Sequence, residues 1–181
     1  MALPTRFHQA GATLAAVAAA GYCVEGAIVV RTPQGDSGWH ASGYAVEAAF
    51  VVALLASVPL VERLRHSATR VARGASWAAG IGFVAMLVSA TASLAAGRDE
   101  IGPAFFLGVV AAVLGLGALS VAEARRRAPG WWAAPAVAVA LVLSMALGDN
   151  GGGILLGLAW VVTIPALRGD ALPTAHAIVG G

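Results

Sequence analysis

Residues 9–30 read QAGATLAAVAAAGYCVEGAIVV, an apolar run interrupted by one acidic side chain, that of Glu25. A run of this length is enough for an α-helix to cross a hydrocarbon core of roughly 30 Å. Similar runs recur along the chain, and the six predicted spans are residues 9–30, 40–61, 75–96, 103–124, 131–148 and 152–167. We therefore predict an all-α, polytopic transmembrane helix bundle, in which residues 1–181 form one integral membrane domain.

The composition agrees with this class. Hydrophobic residues make up 59% of the chain, charged residues make up 11%, and the mean hydropathy is +0.83. A soluble domain needs more charge than this to cover its surface. The lipid bilayer is thus the expected environment, and no nucleic-acid partner is expected because the basic residues occur mainly in loops that flank the spans.

The arginines divide unequally between the two sides of the predicted bundle, and the chain contains no lysine. One side carries Arg6, Arg63, Arg65, Arg70, Arg73, Arg125, Arg126, Arg127 and Arg168. The opposite side carries Arg31 and Arg98. Since cytoplasmic loops are enriched in basic residues, the N- and C-termini are predicted to be cytoplasmic. The bias toward Ala, Gly, Val and Arg suggests a high-GC bacterial source, and hence the bacterial inner (cytoplasmic) membrane.

The sequence lacks the residues that several kinds of reaction and binding site require. Without lysine there is no retinal Schiff base and no lysine-dependent covalent catalysis. A single cysteine, Cys23, forms no internal disulfide and no CxxC pair. The four histidines are scattered without the spacing of metal ligands, so neither a metal site nor a cofactor is predicted.

A short phrase occurs twice, in the first and second spans. Tyr22 and Tyr44 are the only tyrosines, and each lies three residues before a glutamate, Glu25 or Glu47. On a helix this spacing places phenol and carboxyl on one face. Because the two spans run in opposite directions, both carboxyls should lie at roughly 10 Å depth on the non-cytoplasmic side, given 1.5 Å rise per residue. They are therefore expected to face one another.

The last two spans are short for two crossings, so their connecting turn is expected to enter the outer leaflet. This turn contains Asp149 and Asn150, followed by three glycines. At that depth Asp149 would approach the two glutamates. The alternative is an ordinary turn, because Asp and Asn followed by glycine are common turn residues.

An ionisable residue inside a membrane span is a functional-site hypothesis by default. Two carboxyls at one depth in a medium of low dielectric disfavour simultaneous ionisation, so at least one should carry a proton and serve as an acid. We predict Glu47, Glu25 and Asp149 as catalytic residues. The predicted substrate-binding wall consists of Tyr22, Tyr44, Trp39, His40, Phe50, Met145 and Trp160.

Structural roles are the alternative for each of these groups. The Tyr and Glu side chains can hydrogen-bond across spans and fix helix register, with the aromatic residues as packing or as an interface belt. His40 can be an exposed residue at the end of a loop. Glu62 and Glu123 lie beside arginines at the cytoplasmic ends, so solvated ion pairs are expected there rather than site residues.

Connections and helix contacts are also predicted. Residues 62–73 form a basic loop, and Trp131 and Trp132 open the fifth span as interface anchors. Small residues at four-residue spacing, such as Ala111 and Gly115 in the fourth span, permit close helix contacts.

An early intramembrane glutamate, Glu47 or Glu25, a late aspartate, Asp149, and an aromatic-lined bundle resemble the membrane-bound terpene cyclases of meroterpenoid pathways in bacteria and fungi. The resemblance implies an enzyme that protonates a hydrophobic, prenylated substrate and guides the carbocation through cyclisation. Two other functions stay open. One is a proton-coupled small-molecule transporter, and the other is an accessory or structural membrane subunit.

Overall fold

The computed structural model describes residues 5–31, 41–97, 102–128 and 130–168. These residues form six α-helices, with no β-strand among them. The helices are α1 (Thr5–Arg31), α2 (Ala41–Arg63), α3 (Arg70–Ala96), α4 (Pro103–Arg125), α5 (Ala133–Leu147) and α6 (Gly152–Arg168). The first four are long and apolar enough to cross a membrane, whereas α5 and α6 are shorter apolar helices. The chain is therefore an all-helical, multi-pass membrane protein.

The helices are arranged as a closed ring. Each helix packs against the next one in sequence, and α6 packs against α1. Short connections make successive helices antiparallel, so the C-terminal ends of α1, α3 and α5 lie at the same end of the ring as the N-terminal ends of α2, α4 and α6. We call this the cavity end, because the cavity of the bundle lies there. We call the opposite end the arginine end, because α2, α4 and α6 each end there with an arginine.

Small residues bring the helix backbones close together at several contacts. A Cβ atom placed on Gly108 would lie 2.8 Å from the Gly82 carbonyl oxygen, and one on Gly115 would lie 2.8 Å from the Ala75 carbonyl oxygen. At the α1–α2 contact, a Cβ atom on Gly21 would lie 2.8 Å from the Ala49 carbonyl oxygen. Close helix contacts of this kind are typical of membrane bundles, where van der Waals packing holds helices together.

Large apolar side chains fill the middle of the ring. Those exposed by less than 2% include Leu54, Leu60, Phe83, Met86, Leu116, Leu119 and Trp160. The outer surface is apolar too, with Leu107 exposed by 68% and Val88 by 63%. An apolar exterior around an apolar interior suits a bundle surrounded by hydrocarbon.

Some predicted boundaries were wrong because hydropathy marks only the part of a helix that lies in lipid. The predicted loop 62–73 is partly helical, since α2 continues to Arg63 and α3 begins at Arg70. Thr69 caps α3 by accepting a hydrogen bond from the Ala72 backbone N–H at 3.2 Å. Trp131 and Trp132 precede α5 rather than open it.

Ion pairs and hydrogen bonds hold the α2–α3 loop at the arginine end. Arg65 pairs with Glu62, as predicted for a solvated ion pair. Glu123 differs from the prediction, because it is only 1% exposed and accepts a hydrogen bond from the Ser67 backbone N–H at 3.0 Å. A helix end packed under a loop buries this carboxyl. The assignment of the arginine end to the cytoplasm stays a prediction.

Candidate functional site

A cavity of about 390 Å³ lies at the cavity end, inside the ring. Five helices line it, and α3 contributes no residue. The lining residues are Tyr22, Glu25, Val29, Val46, Glu47, Phe50, Phe105, Phe106, Ser144, Met145, Gly148, Gly153 and Leu156. The volume is in the range of small-molecule sites, and two carboxyls in a largely apolar wall are the kind of polar group that orients a ligand.

Glu25 and Glu47 lie in the wall of this one cavity and are close enough to interact electrostatically. The Glu25 carboxyl rests directly on Gly153, in the first turn of α6, so closely that a Cβ atom there would overlap Glu25 Oε2. Gly153 is therefore needed for Glu25 to occupy its position in the wall.

The turn between α5 and α6 packs against α1 before the end of that helix. A Cβ atom on Gly26 would lie 2.8 Å from the Ile154 backbone nitrogen and 3.3 Å from the Gly151 carbonyl oxygen. Gly26 precedes the last residue of α1, Arg31, by roughly 8 Å along the helix axis, at 1.5 Å per residue. Gly151 itself has φ of +83°, a conformation that favours glycine. The two short helices and this turn place backbone in the cavity wall.

Tyr22 is completely buried, and its hydroxyl lies 3.3 Å from Ser57 Oγ. Ser57 donates its single hydroxyl proton to the Ala53 carbonyl oxygen at 2.8 Å. The Tyr22 hydroxyl must then be the donor to Ser57. Since its proton points toward α2, Tyr22 presents its ring rather than an acidic proton to the cavity.

Four aromatic rings form a continuous row along the cavity. The ring centroids of Tyr22 and Phe50 are 5.9 Å apart in an edge-on arrangement, and those of Phe50 and Phe105 are 6.1 Å apart. Phe106 continues the row at 5.9 Å from Phe105. Spacings of this size are favourable for aromatic pairs, and the faces of such rings attract positive charge.

The structure brings together five of the predicted site residues: Glu25, Glu47, Tyr22, Phe50 and Met145. Three others fall outside the described part. Trp39 and His40 precede α2, and nothing is described of the Asp149 side chain, although its backbone belongs to a 3₁₀ turn between α5 and α6.

Tyr44 and Trp160 do not line the cavity. Tyr44 is 46% exposed, and its hydroxyl lies against Gly97, which ends α3 with φ of +61°. Trp160 is completely buried and packs on Phe83, with ring centroids 6.5 Å apart. The two copies of the repeated phrase therefore differ, because α1 turns its tyrosine into the ring and α2 turns its tyrosine toward the end of α3.

Sequence reasoning missed part of the wall. Phe105 and Phe106 follow Pro103 at the start of α4, at the same end of the bundle as the glutamates. This position in the sequence could have predicted that they line the site. Gly153 and Gly157 have the four-residue spacing of close helix contacts, and both pack on α1. Ser57, the partner of Tyr22, had no distinguishing pattern.

Within the described residues, no group of three or more His, Cys, Asp or Glu side chains is placed to hold a metal ion. Comparison of the chain with known protein families, with curated proteins and with solved structures finds no match. The case for a function therefore depends on the geometry and chemistry of the cavity.

Proposed function

We propose that this protein is an intramembrane enzyme that cyclises a prenyl or terpenoid lipid substrate by protonating it. The observation that supports this most is the cavity itself, which combines the interacting pair Glu25 and Glu47 with a row of aromatic rings. An acid is needed to start such a reaction, and aromatic faces are needed to stabilise the positive charge that follows.

The proposed reaction begins with Glu47 as the acid. Its O–H bond breaks, and the proton forms a C–H bond with one carbon of an alkene, which leaves a carboxylate and a tertiary carbocation. A second alkene of the substrate attacks the cation and closes a ring. Loss of a proton from a neighbouring carbon to the carboxylate then forms a new double bond and restores the acid. Substrate and product are isomers.

Glu47 is the preferred acid because Phe50 lies one helical turn away on the same face of α2 and also lines the cavity. A cation formed near Glu47 would meet the ring of Phe50 first. Phe105, the next ring in the row, would stabilise charge that moves further along the substrate chain. Glu25 is placed to interact with the carboxylate and to keep the pair from losing both protons.

The packing of the ring favours an enzyme over a proton-coupled transporter. A transporter needs alternating access to its site from both sides of the membrane. Here the interior on the arginine side of the cavity contains Phe83, Met86, Leu116 and Trp160, all completely buried. A cavity at one end of a filled bundle suits a site that binds and releases its ligand on one side.

The experiment is incubation of the purified protein with prenylated acceptors, followed by chromatography coupled to mass spectrometry. We expect a product of unchanged mass and altered retention time. Heat-denatured protein is the control for spontaneous cyclisation. Failure to convert any prenylated substrate would leave the accessory or structural role as the better account.

A further inference from the structure

Three of the residues that line the cavity are also exposed: Phe106, Met145 and Gly148. Phe106 is 57% exposed and Met145 is 39% exposed, whereas Tyr22, Phe105 and Leu156 in the same cavity are exposed by 6% or less. Phe106 lies near the start of α4 and Met145 near the end of α5, so both are at the cavity end. Because α4 and α5 are neighbours in the ring, the cavity wall reaches the exterior of the ring beside this contact.

The helix surfaces on either side of this contact are apolar. α5 contains no charged residue, and neither does α4 before Glu123. On these two helices, Leu107 next to Phe106 is 68% exposed and Leu143 is 47% exposed. An apolar molecule dissolved in the hydrocarbon layer would meet these helix surfaces.

Other contacts around the cavity are close. At the α1–α6 contact, a Cβ atom on Gly153 would lie 2.7 Å from the Tyr22 carbonyl oxygen. At the α1–α2 contact, Gly21 lies against the Ala49 backbone. Across the ring, Phe50 packs on Phe105 and closes the space toward α3.

We propose that the cavity takes its ligand from the bilayer, through a lateral opening between α4 and α5 that is framed by Phe106 and Met145, and that an isoprenoid chain enters tail first. The apolar tail passes the opening and reaches Glu25 and Glu47, while the polar end of the molecule stays near the membrane surface. That the ligand is an isoprenoid rests on the proposed function. The lateral route rests on the exposure of Phe106 and Met145.

The test uses a farnesol analogue that carries a photoreactive diazirine on its last isoprene unit. The full chain is reconstituted in phosphatidylcholine vesicles that contain the analogue, irradiated, and digested for mass spectrometry. Labelling is expected on peptides that contain Glu25 or Glu47. Single cysteines replace Phe106 or Met145 in a Cys23→Ala background, and each is alkylated with N-phenylmaleimide before the analogue is added.

Alkylation at position 106 or 145 should slow labelling by about tenfold, because the bulky group fills the opening. The same treatment of Leu107→Cys and Leu143→Cys is the matched control, since these exposed neighbours do not line the cavity, and it should leave labelling unchanged. Phe106→Ala, which widens the opening, should speed labelling.

Two results would overturn the lateral route: no labelling of the unmodified protein, or equal labelling after alkylation at 106 and 145. Labelling without any cyclised product would contradict the proposed function and leave the route standing. Turnover together with labelling that alkylation does not slow would contradict the lateral route and leave the proposed function standing.

Discussion

Both ends of the bundle contain carboxyl groups that are at least partly buried, but these groups have different surroundings. At the arginine end, Glu123 is almost completely buried and accepts a hydrogen bond from the Ser67 backbone, which fixes the α2–α3 loop. At the cavity end, Glu25 and Glu47 are partly exposed and face a cavity of about 390 Å³. A carboxyl that anchors a loop is a structural group, whereas a pair that faces a cavity is available to a ligand.

The strongest test of this contrast is Glu47→Gln. Glutamine keeps the shape of the side chain but delivers no proton, so turnover of a prenylated substrate should fall by about 10²- to 10⁴-fold, the usual contribution of a general acid. Labelling by the photoreactive analogue should persist. Glu62→Gln at the arginine end is the control and should turn over normally. Normal turnover of both Glu47→Gln and Glu25→Gln would show that neither glutamate of the cavity is the acid.

The second test is Gly153→Ala, which adds one carbon where the Glu25 carboxyl rests. The carboxyl must move, and α1 must also shift slightly because the new Cβ atom would lie 2.7 Å from the Tyr22 carbonyl oxygen. Turnover should fall by about tenfold or more, since small misplacements at a site are costly. Gly80→Ala is the matched control, because a Cβ atom there meets nothing within 4 Å. Turnover of the control should equal that of the native protein, and its thermal midpoint should not fall, since alanine is the better helix former. Unchanged turnover in Gly153→Ala would show that the position of Glu25 is not needed.

The third test is Glu123→Ala, which leaves the Ser67 N–H without its acceptor. Loss of the acceptor for this partly buried N–H should cost at most about 1–3 kcal/mol, so the thermal midpoint should fall. Turnover measured below that midpoint should stay native. Glu62→Ala breaks the exposed pair with Arg65 and leaves the Ser76 hydroxyl with the Arg73 carbonyl oxygen as its acceptor, so it should cost only about 0.2–1 kcal/mol. Equal midpoints for the two variants would contradict the anchoring role.

The smallest effect concerns His66, in the α2–α3 loop. Partial burial of the imidazole, which still has an exposed side, lowers its pKa below the ordinary value of 6.5, and Glu123 acts in the opposite direction. With the folded pKa below the unfolded one, the unfolded chain binds more protons, so stability falls as the pH drops through about 6.5. The thermal midpoint should decrease slightly between pH 7.5 and pH 5.5, and this decrease should be smaller in His66→Gln. An identical pH dependence in both proteins would contradict it.

Hydropathy was sufficient to predict the fold class and all six helices, because the bilayer demands apolar runs of nearly fixed length. The ends of the helices depend on other forces. Thr69 extends α3 through Arg70 and Arg73 by capping it, and arginine is a good helix former that hydropathy counts as loop. This is why the basic loop is shorter than predicted.

The site was only partly predictable, because spacing along one helix does not fix the rotation of that helix in a bundle. The repeated phrase drew attention to Glu25 and Glu47, yet its second tyrosine, Tyr44, points away from the cavity. Phe105 was missed because its role depends on contact with Phe50, a residue on another helix. Such contacts are set by packing that a single sequence does not display.

The contact between α1 and α6 has a consequence for how the protein is made. A membrane protein is synthesised from its N-terminus, and helix contacts that are distant in sequence form last. Glu25 is among the first site residues to leave the ribosome, but Gly153, on which it rests, follows only after the other four helices. The ring must therefore stay unsealed through most of translation, and any chain that stops before α6 carries an intramembrane carboxyl without its wall. Closure of the last helix against the first is thus the step that completes the wall around Glu25.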